Sequence, residues 1–187
     1  MVFILLLTFS TTVQGAYAYT NLSNEVPKQE TKKFTIVENG KIQTIEMNEN
    51  REIFVNGKNI TTIIKKSEIP SYSIQDRFSI QNKSDNWQYA GEDEYRYDLG
   101  GLGFKALNKI GVLLKVADSI STIKAISGAY MVDGVFKTGV YIFDRRSIYY
   151  KNIHQSRPDM KSIHRLYFHV SFVGSYEKYL GSFTSYN

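Results

Sequence analysis

Two Asn-Gly pairs, each set between short alternating apolar runs, constrain this chain more than any other feature. FTIVENGKIQTIE carries Asn39-Gly40 between two such runs, and EIFVNGKNITTII does the same with Asn56-Gly57. A two-residue type I′ hairpin turn demands positive φ at both central residues, which Asn and Gly tolerate and most residues do not. The triplet NGK recurs at an offset of 17 residues. The spacing therefore predicts a small antiparallel meander of three or four strands, and two repeats are too few for a solenoid.

The period changes downstream. In LGGLGFKALNKIGVLLKVADSISTIKAISG, advancing 100° per residue puts Leu102, Ala106, Leu107, Ile110, Leu113, Leu114, Ala117 and Ile120 on one face. This predicts one amphipathic helix from about 102 to 123, with Asp98 as its cap. Val112, Val116 and Ile123 form a narrower apolar ridge behind it, as burial on two sides would require. The run AISGAYMVDGVFKTGVYIF, interrupted by Gly128, Gly134 and Gly139, reads as a second helix packed on the first, with Asp133 and Lys137 spaced to pair. Each of those charges would cost roughly 2.5–3.5 kcal/mol at the centre of a membrane span, which argues against a transmembrane helix here.

The remainder reads as β-structure. Residues 140–150 are rich in β-branched and aromatic side chains, a loop around Pro158 follows, and HRLYFHVSF alternates. Leu166, Phe168, Val170 and Phe172 should face one way; Arg165, Tyr167, His169 and Ser171 the other. Gly174-Ser175 marks a turn before a last strand over 179–186. The expected class is α+β: N-terminal antiparallel β-hairpins, central amphipathic and apolar helices, and Tyr-rich C-terminal antiparallel strands.

The N-terminus begins with VFILLLTF, and Ala16-Tyr17-Ala18 follows as a small-x-small cleavage site, so residues 1–18 are expected to be a secretory signal. No Lys or Arg precedes the apolar run, and it is shorter than the roughly 20 residues that span a bilayer. Residues 19–33 read as a flexible leader, 34–84 as the hairpin segment and a candidate prosegment, and 85–187 as a helical-plus-β domain. Within the hairpin segment, 67–84 is expected to be linker with a short strand at 77–81. NLS, NIT and NKS, beginning at Asn21, Asn59 and Asn82, have the form of glycosylation sequons, but such triplets arise by chance in Asn-rich sequences.

The chain has no cysteine, which excludes thiol nucleophiles, thiolate zinc sites and CxxC redox chemistry and, for an exported protein, favours a bacterial origin. Its three histidines are His154, His164 and His169. The last two are five apart on one strand and so point to opposite faces, which argues against a shared metal. No GxSxG, HExxH, P-loop or dinucleotide fingerprint is present, and no cofactor is implied. Glu92, Asp93, Glu94 and Asp98 could serve as paired carboxylates or a calcium loop, but adjacent acids in a Tyr-rich turn are usually solvated. The chain is accordingly expected not to be an enzyme.

Charge is distributed unevenly, with a net of −1 over 19–97 and +6 over 98–187. A basic half suggests an anionic partner; export and the dispersed lysines speak against nucleic acid. Apolar area plus cationic attraction is the physical basis of insertion at an anionic membrane surface. The helix face of Leu107, Ile110, Leu114 and Ala117 is thus the candidate for contact with lipid, with Lys105, Lys109 and Lys115 on phosphates.

From Phe78 onward, FSIQNKSDNWQY, KALNKIGVLLKVADSISTIKAISGAYMVDGV, VYIFDRRSIYYK and YLGSFTSYN follow one another over about 110 residues. This order resembles that of the large secreted bacteriocin-like proteins of Gram-positive bacteria, the geobacillin type. The resemblance is one of architecture and composition; it implies an antimicrobial role and carries over no catalytic residue. The expectation is a secreted protein directed at the anionic membrane of other bacteria, with an immunity protein as a candidate partner. The competing expectation is an extracellular binding module, such as an inhibitor or cell-wall-associated protein, using the Tyr-rich C-terminal sheet.

Overall fold

The computed structural model describes residues 32–67, 86–151, 159–172, 174 and 176–186. The signal, most of the leader, the strand expected at 77–81, the Pro158 loop and His154 lie outside the described residues.

Strands β1 (Lys32–Glu38), β2 (Lys41–Met47), β3 (Ile53–Val55) and β4 (Lys58–Asn59) form an antiparallel sheet in sequence order. Both Asn-Gly pairs make the turns their chemistry predicts: φ is 51° and 72° at Asn39-Gly40, and 51° and 77° at Asn56-Gly57. Asn56 also accepts the Thr44 N–H through its side-chain oxygen at 2.8 Å, joining the second turn to β2.

A second, five-stranded antiparallel sheet contains β5 (Thr61–Lys65), β6 (Gln88–Asp98), β9 (Val140–Lys151), β10 (Asp159–Val170) and β11 (Tyr176–Tyr186), in the order β11-β10-β9-β6-β5. The hairpin segment thus contributes to both sheets. Leu166, Phe168 and Val170 face inward and are fully buried, as the alternation predicts. Phe172 lies beyond the end of β10 and is exposed.

The helical region differs from its sequence reading. Instead of one helix over 102–123 there are two, α1 (Phe104–Leu113) and α2 (Ala117–Ser127). Between them Lys115 adopts left-handed φ of 60°. Its N–H bonds the Val112 carbonyl at 3.2 Å, and that of Val116 bonds Gly111 at 2.8 Å. These are the two bonds of a Schellman ending, with Lys where Gly is commonest. The break lets the chain fold back, so α1 and α2 pack together where Gly111 meets Ile120.

No second long helix follows. Residues 128–130 make one 3-10 turn, and β7 (Met131–Val132) and β8 (Val135–Phe136) form a small hairpin around Asp133-Gly134, at φ 51° and 78°. Asp133 therefore sits in a turn, not on a helix facing Lys137. Asp98 caps no helix either; its side chain accepts the Gly100 N–H at 2.9 Å.

The main hydrophobic core joins both sheets and both helices: Ile36, Ile45 and Ile53 of the small sheet, Leu107 and Ile110 of α1, Ile120 and Ile123 of α2, and Ile142, Leu166 and Phe168 of the large sheet. The second ridge is split by the break, with Val116 and Ile123 buried and Val112 exposed. Glu38, at the end of β1, closes the contact between small sheet and helix. Its carboxylate accepts the Lys105 N–H at 2.7 Å and the Ala106 N–H at 3.4 Å. Gly103, the N-cap, supplies no side-chain cap of its own, so a residue 67 positions away satisfies the donors that a helix start leaves free.

Candidate functional site

The residues expected to touch lipid are placed as follows. Leu107, Ile110 and Leu114 are fully buried in the core, whereas Ala117 is exposed at the start of α2. Lys105 donates from Nζ to the Val37 carbonyl at 2.9 Å, Lys109 lies over Phe34 at 5.1 Å, and Lys115 over Phe183 at 5.0 Å. The apolar stripe and the lysines thus hold the fold together in this state. Burying a Leu or Ile contributes roughly 1.5–3 kcal/mol. Withdrawing these three residues would cost roughly 4.5–9 kcal/mol, comparable with the whole stability of an ordinary domain. Among the described residues no helix is long and apolar enough to cross a membrane.

The Tyr-rich outer face of the large sheet is built around Arg145. Its guanidinium donates to Glu94 at 3.0 Å and to both oxygens of Glu177 at 3.0 Å, and lies 4.6 Å from the Tyr167 ring centroid. His169 stacks on Tyr141. This ladder leaves Tyr89, Tyr179 and Tyr186 exposed at its margins. The acidic cluster is divided by strand alternation: Glu92 pairs with Lys65 and Glu94 with Arg145, while Asp93 turns inward and accepts from Ser67 N and Oγ at 2.7 and 2.8 Å.

The concentration of polar groups lies on the opposite, inner face, where the helices end. There a cleft of about 680 Å³ opens between residues 48–52 of the small sheet and the large sheet's inner face. A volume of this order suits a small ligand. Five cationic side chains line it: Lys32, Arg51, Lys66, Lys115 and Arg146, against the exposed-side acids Glu49 and Glu52.

At its floor, strand alternation puts Asp144, His164 and Ser185 on one face of three neighbouring strands. Asp144 is completely buried and His164 is 1% exposed. Both carboxylate oxygens of Asp144 lie 3.0 Å from His164 Nδ1, and His164 Nε2 lies 3.0 Å from Ser185 Oγ. A carboxylate can only accept, so Nδ1 carries the proton, Nε2 is the lone-pair nitrogen, and the Ser185 hydroxyl donates to it. Burial lowers the His164 pKa below its ordinary value; Asp144 opposes that shift, and Arg51 and Arg146 reinforce it. The imidazole is thereby held neutral at physiological pH. Phe183 stacks on it at 4.3 Å with the rings 8° from parallel, and Arg51 reaches Asp144 at 3.4 Å.

Arg146 stands beside this row. Its side chain is 11% exposed, its guanidinium lies 3.8 Å from the Tyr95 centroid, and Nη2 is 3.4 Å from Asp93 Oδ2. Yet Nε and Nη2 make no hydrogen bond, and neither does Arg51 Nε. Buried guanidinium donors without acceptors are costly, and the positive charge they carry stands at the wall of the cleft, where it favours an anion.

Sequence reasoning missed these residues. It placed His164 and His169 on opposite faces, as they are, but missed that Asp144 and His164 fall in the same inward register as Val140, Ile142, Leu166 and Phe168. That intrusion of titratable groups into a core face was the available signal. Among the described residues no group of three or more His, Asp and Glu could hold a metal ion. Comparison with protein-family models, curated proteins and solved structures finds no match to this chain.

Proposed function

We propose that the protein is an extracellular binding protein that holds a small anionic ligand, carrying a carboxylate or phosphate group, in the cleft between its two sheets. The observation that carries this reading is Arg146, nearly buried at the cleft wall, ion-paired with Asp93 at 3.4 Å and making no hydrogen bond through Nε or Nη2. The surrounding lysines and Arg51 add a field of the same sign, which raises the local concentration of anions. This is the extracellular binding class, with the ligand moved from the outer Tyr-rich face to the inner cleft, because Arg145 on the outer face already has both its carboxylate partners.

Thermal unfolding at constant ionic strength tests it, with inorganic phosphate, succinate and chloride compared. A ligand at ten times its Kd stabilises by about 1.4 kcal/mol. Phosphate or succinate should raise Tm saturably in the native protein and not in Arg146→Gln. Equal shifts in both proteins, or an effect of chloride as large as that of phosphate, would remove the cleft from consideration.

A second reading, action on the anionic membrane of other bacteria, is favoured by the arrangement at Glu38. The small sheet of residues 32–59 covers α1 and is joined to its N-terminus through the Glu38 carboxylate and the Val37 carbonyl, which Lys105 Nζ meets at 2.9 Å, so removing the segment would uncover part of the helix's apolar face. In this reading residues 34–84 act as a prosegment, the target is anionic lipid, and an immunity protein protects the producer. Leakage of phosphatidylglycerol vesicles, measured before and after limited proteolysis between the sheets, separates the two. Leakage only after cleavage supports this reading, and sealed vesicles in both states exclude it.

A further inference from the structure

We propose that Ser185 is a nucleophile, with His164 as its general base and Asp144 as the positioning residue, and that it takes the acyl group of a small ester bearing an anionic group. This rests on the reading of the cleft as an anion site and adds a reaction to it. The three side chains come from adjacent strands β9, β10 and β11, in the order carboxylate, imidazole, hydroxyl, with 3.0 Å at each junction. The same order of roles recurs on several unrelated folds that activate a serine.

Among the described serines the geometry is specific to Ser185. Ser119, Ser121, Ser127 and Ser171 donate to backbone carbonyls, and Ser147 accepts from Arg165. Ser185 donates instead to a ring nitrogen whose other side is held by a buried carboxylate. The imidazole cannot swing away, because Phe183 covers one face and Asp144 meets Nδ1 with both oxygens. Ser185 itself is half-buried on the edge strand and lines the open cleft. A substrate can therefore reach the hydroxyl while the base and its carboxylate remain buried.

In the first step Oγ attacks the ester carbonyl carbon as Nε2 takes the hydroxyl proton. The bond from that carbon to the alcohol oxygen breaks, and Nε2 returns the proton to the departing alkoxide. This leaves an acyl ester on Ser185 and a free alcohol. Water then attacks the acyl carbon, giving its proton to Nε2; the bond to Oγ breaks, Oγ recovers the proton, and a carboxylic acid leaves. Negative charge develops on the carbonyl oxygen within a cleft whose lining includes Arg51, Arg146 and Lys115, where fixed positive charge stabilises it. The anionic end of the ester is held by Arg146.

A fluorophosphonate probe on the folded full chain, read by peptide mass spectrometry, tests this. Ser185 should be labelled at least 100-fold faster than Ser182, which is exposed on the same strand and has no such partner. Labelling should vanish in Ser185→Ala and fall at least 100-fold in His164→Gln, the usual contribution of a general base. Comparison with Ser182 needs no variant, so the test stands even if His164→Gln does not fold. Equal labelling of the two serines, or none, overturns the nucleophile. If phosphate still raises Tm through Arg146 in that event, the anion-binding reading stands alone; if that dependence is also missing, both fall.

Discussion

Replacing Glu38 probes how the two sheets are joined through α1. The carboxylate is buried and accepts the Lys105 N–H at 2.7 Å, with a longer contact to Ala106 at 3.4 Å. A hydrogen bond to a charged group contributes about 1.5–3 kcal/mol, and negative charge at a helix N-terminus adds about 0.3–1 kcal/mol. Because α1 has no cap of its own, Glu38→Ala leaves these donors without a partner and should cost about 2–3 kcal/mol. Glu38→Gln keeps an acceptor oxygen and loses the charge, so it should cost about 1 kcal/mol. At this chain length each kcal/mol moves Tm by about 2–4 °C, which gives a fall of roughly 4–12 °C for the alanine variant by circular dichroism. Gly103→Ala should act on the same contact, since a Cβ there would stand 2.2–2.4 Å from the Glu38 carboxyl atoms. The double variant should then be well short of additive. A Glu38→Ala protein within 0.5 kcal/mol of the parent, or strict additivity with Gly103→Ala, would refute the linkage.

Gly111→Ala should destabilise by about 1–3 kcal/mol despite the better helix propensity of Ala, because its Cβ would lie 2.5 Å from Ile120 in the α1–α2 contact; urea titration measures it. Gly134→Ala should cost roughly 1 kcal/mol, since φ there is +78°. His164 makes stability depend on pH. Its folded pKa lies below the unfolded value of about 6.5, so the unfolded chain binds the extra proton and stability falls as pH drops through 6.5 toward the folded value. Denaturation at pH 7.5 and 5.5 should show that loss in the native protein and a flatter profile in His164→Gln; an equal slope in both would assign the effect elsewhere.

The β-structure was legible because its determinants are local. Positive φ at Asn39-Gly40 and alternation in 164–170 follow from neighbouring residues alone. Asp133-Gly134 carries the same turn chemistry, but the apolar residues of its flanking strands imitate helical periodicity and mask it. The helix break could not be read in this way: Lys115 is an ordinary helix former, and its left-handed conformation is imposed by packing of Val116 and Ile120 against the core. Leu107, Ile110 and Leu114 lie in the core, and Ala117 outside it, because a stripe suited to lipid is equally suited to a sheet. The Asp144, His164 and Ser185 row depends on cross-strand register, including a shift between Leu166 and Tyr167 opposite β11, and Arg51 arrives from an irregular turn of the other sheet. Neither is encoded within any short window of sequence.

The most direct measurement is the NMR signal of the Arg146 Nε–H group during titration with inorganic phosphate. An anion bound in the cleft changes the field at that buried group, so its resonance should shift and saturate with the same Kd as the backbone amides of residues 48–52. A resonance unmoved by phosphate, while exposed lysine signals respond only in proportion to ionic strength, would contradict an anion-binding cleft.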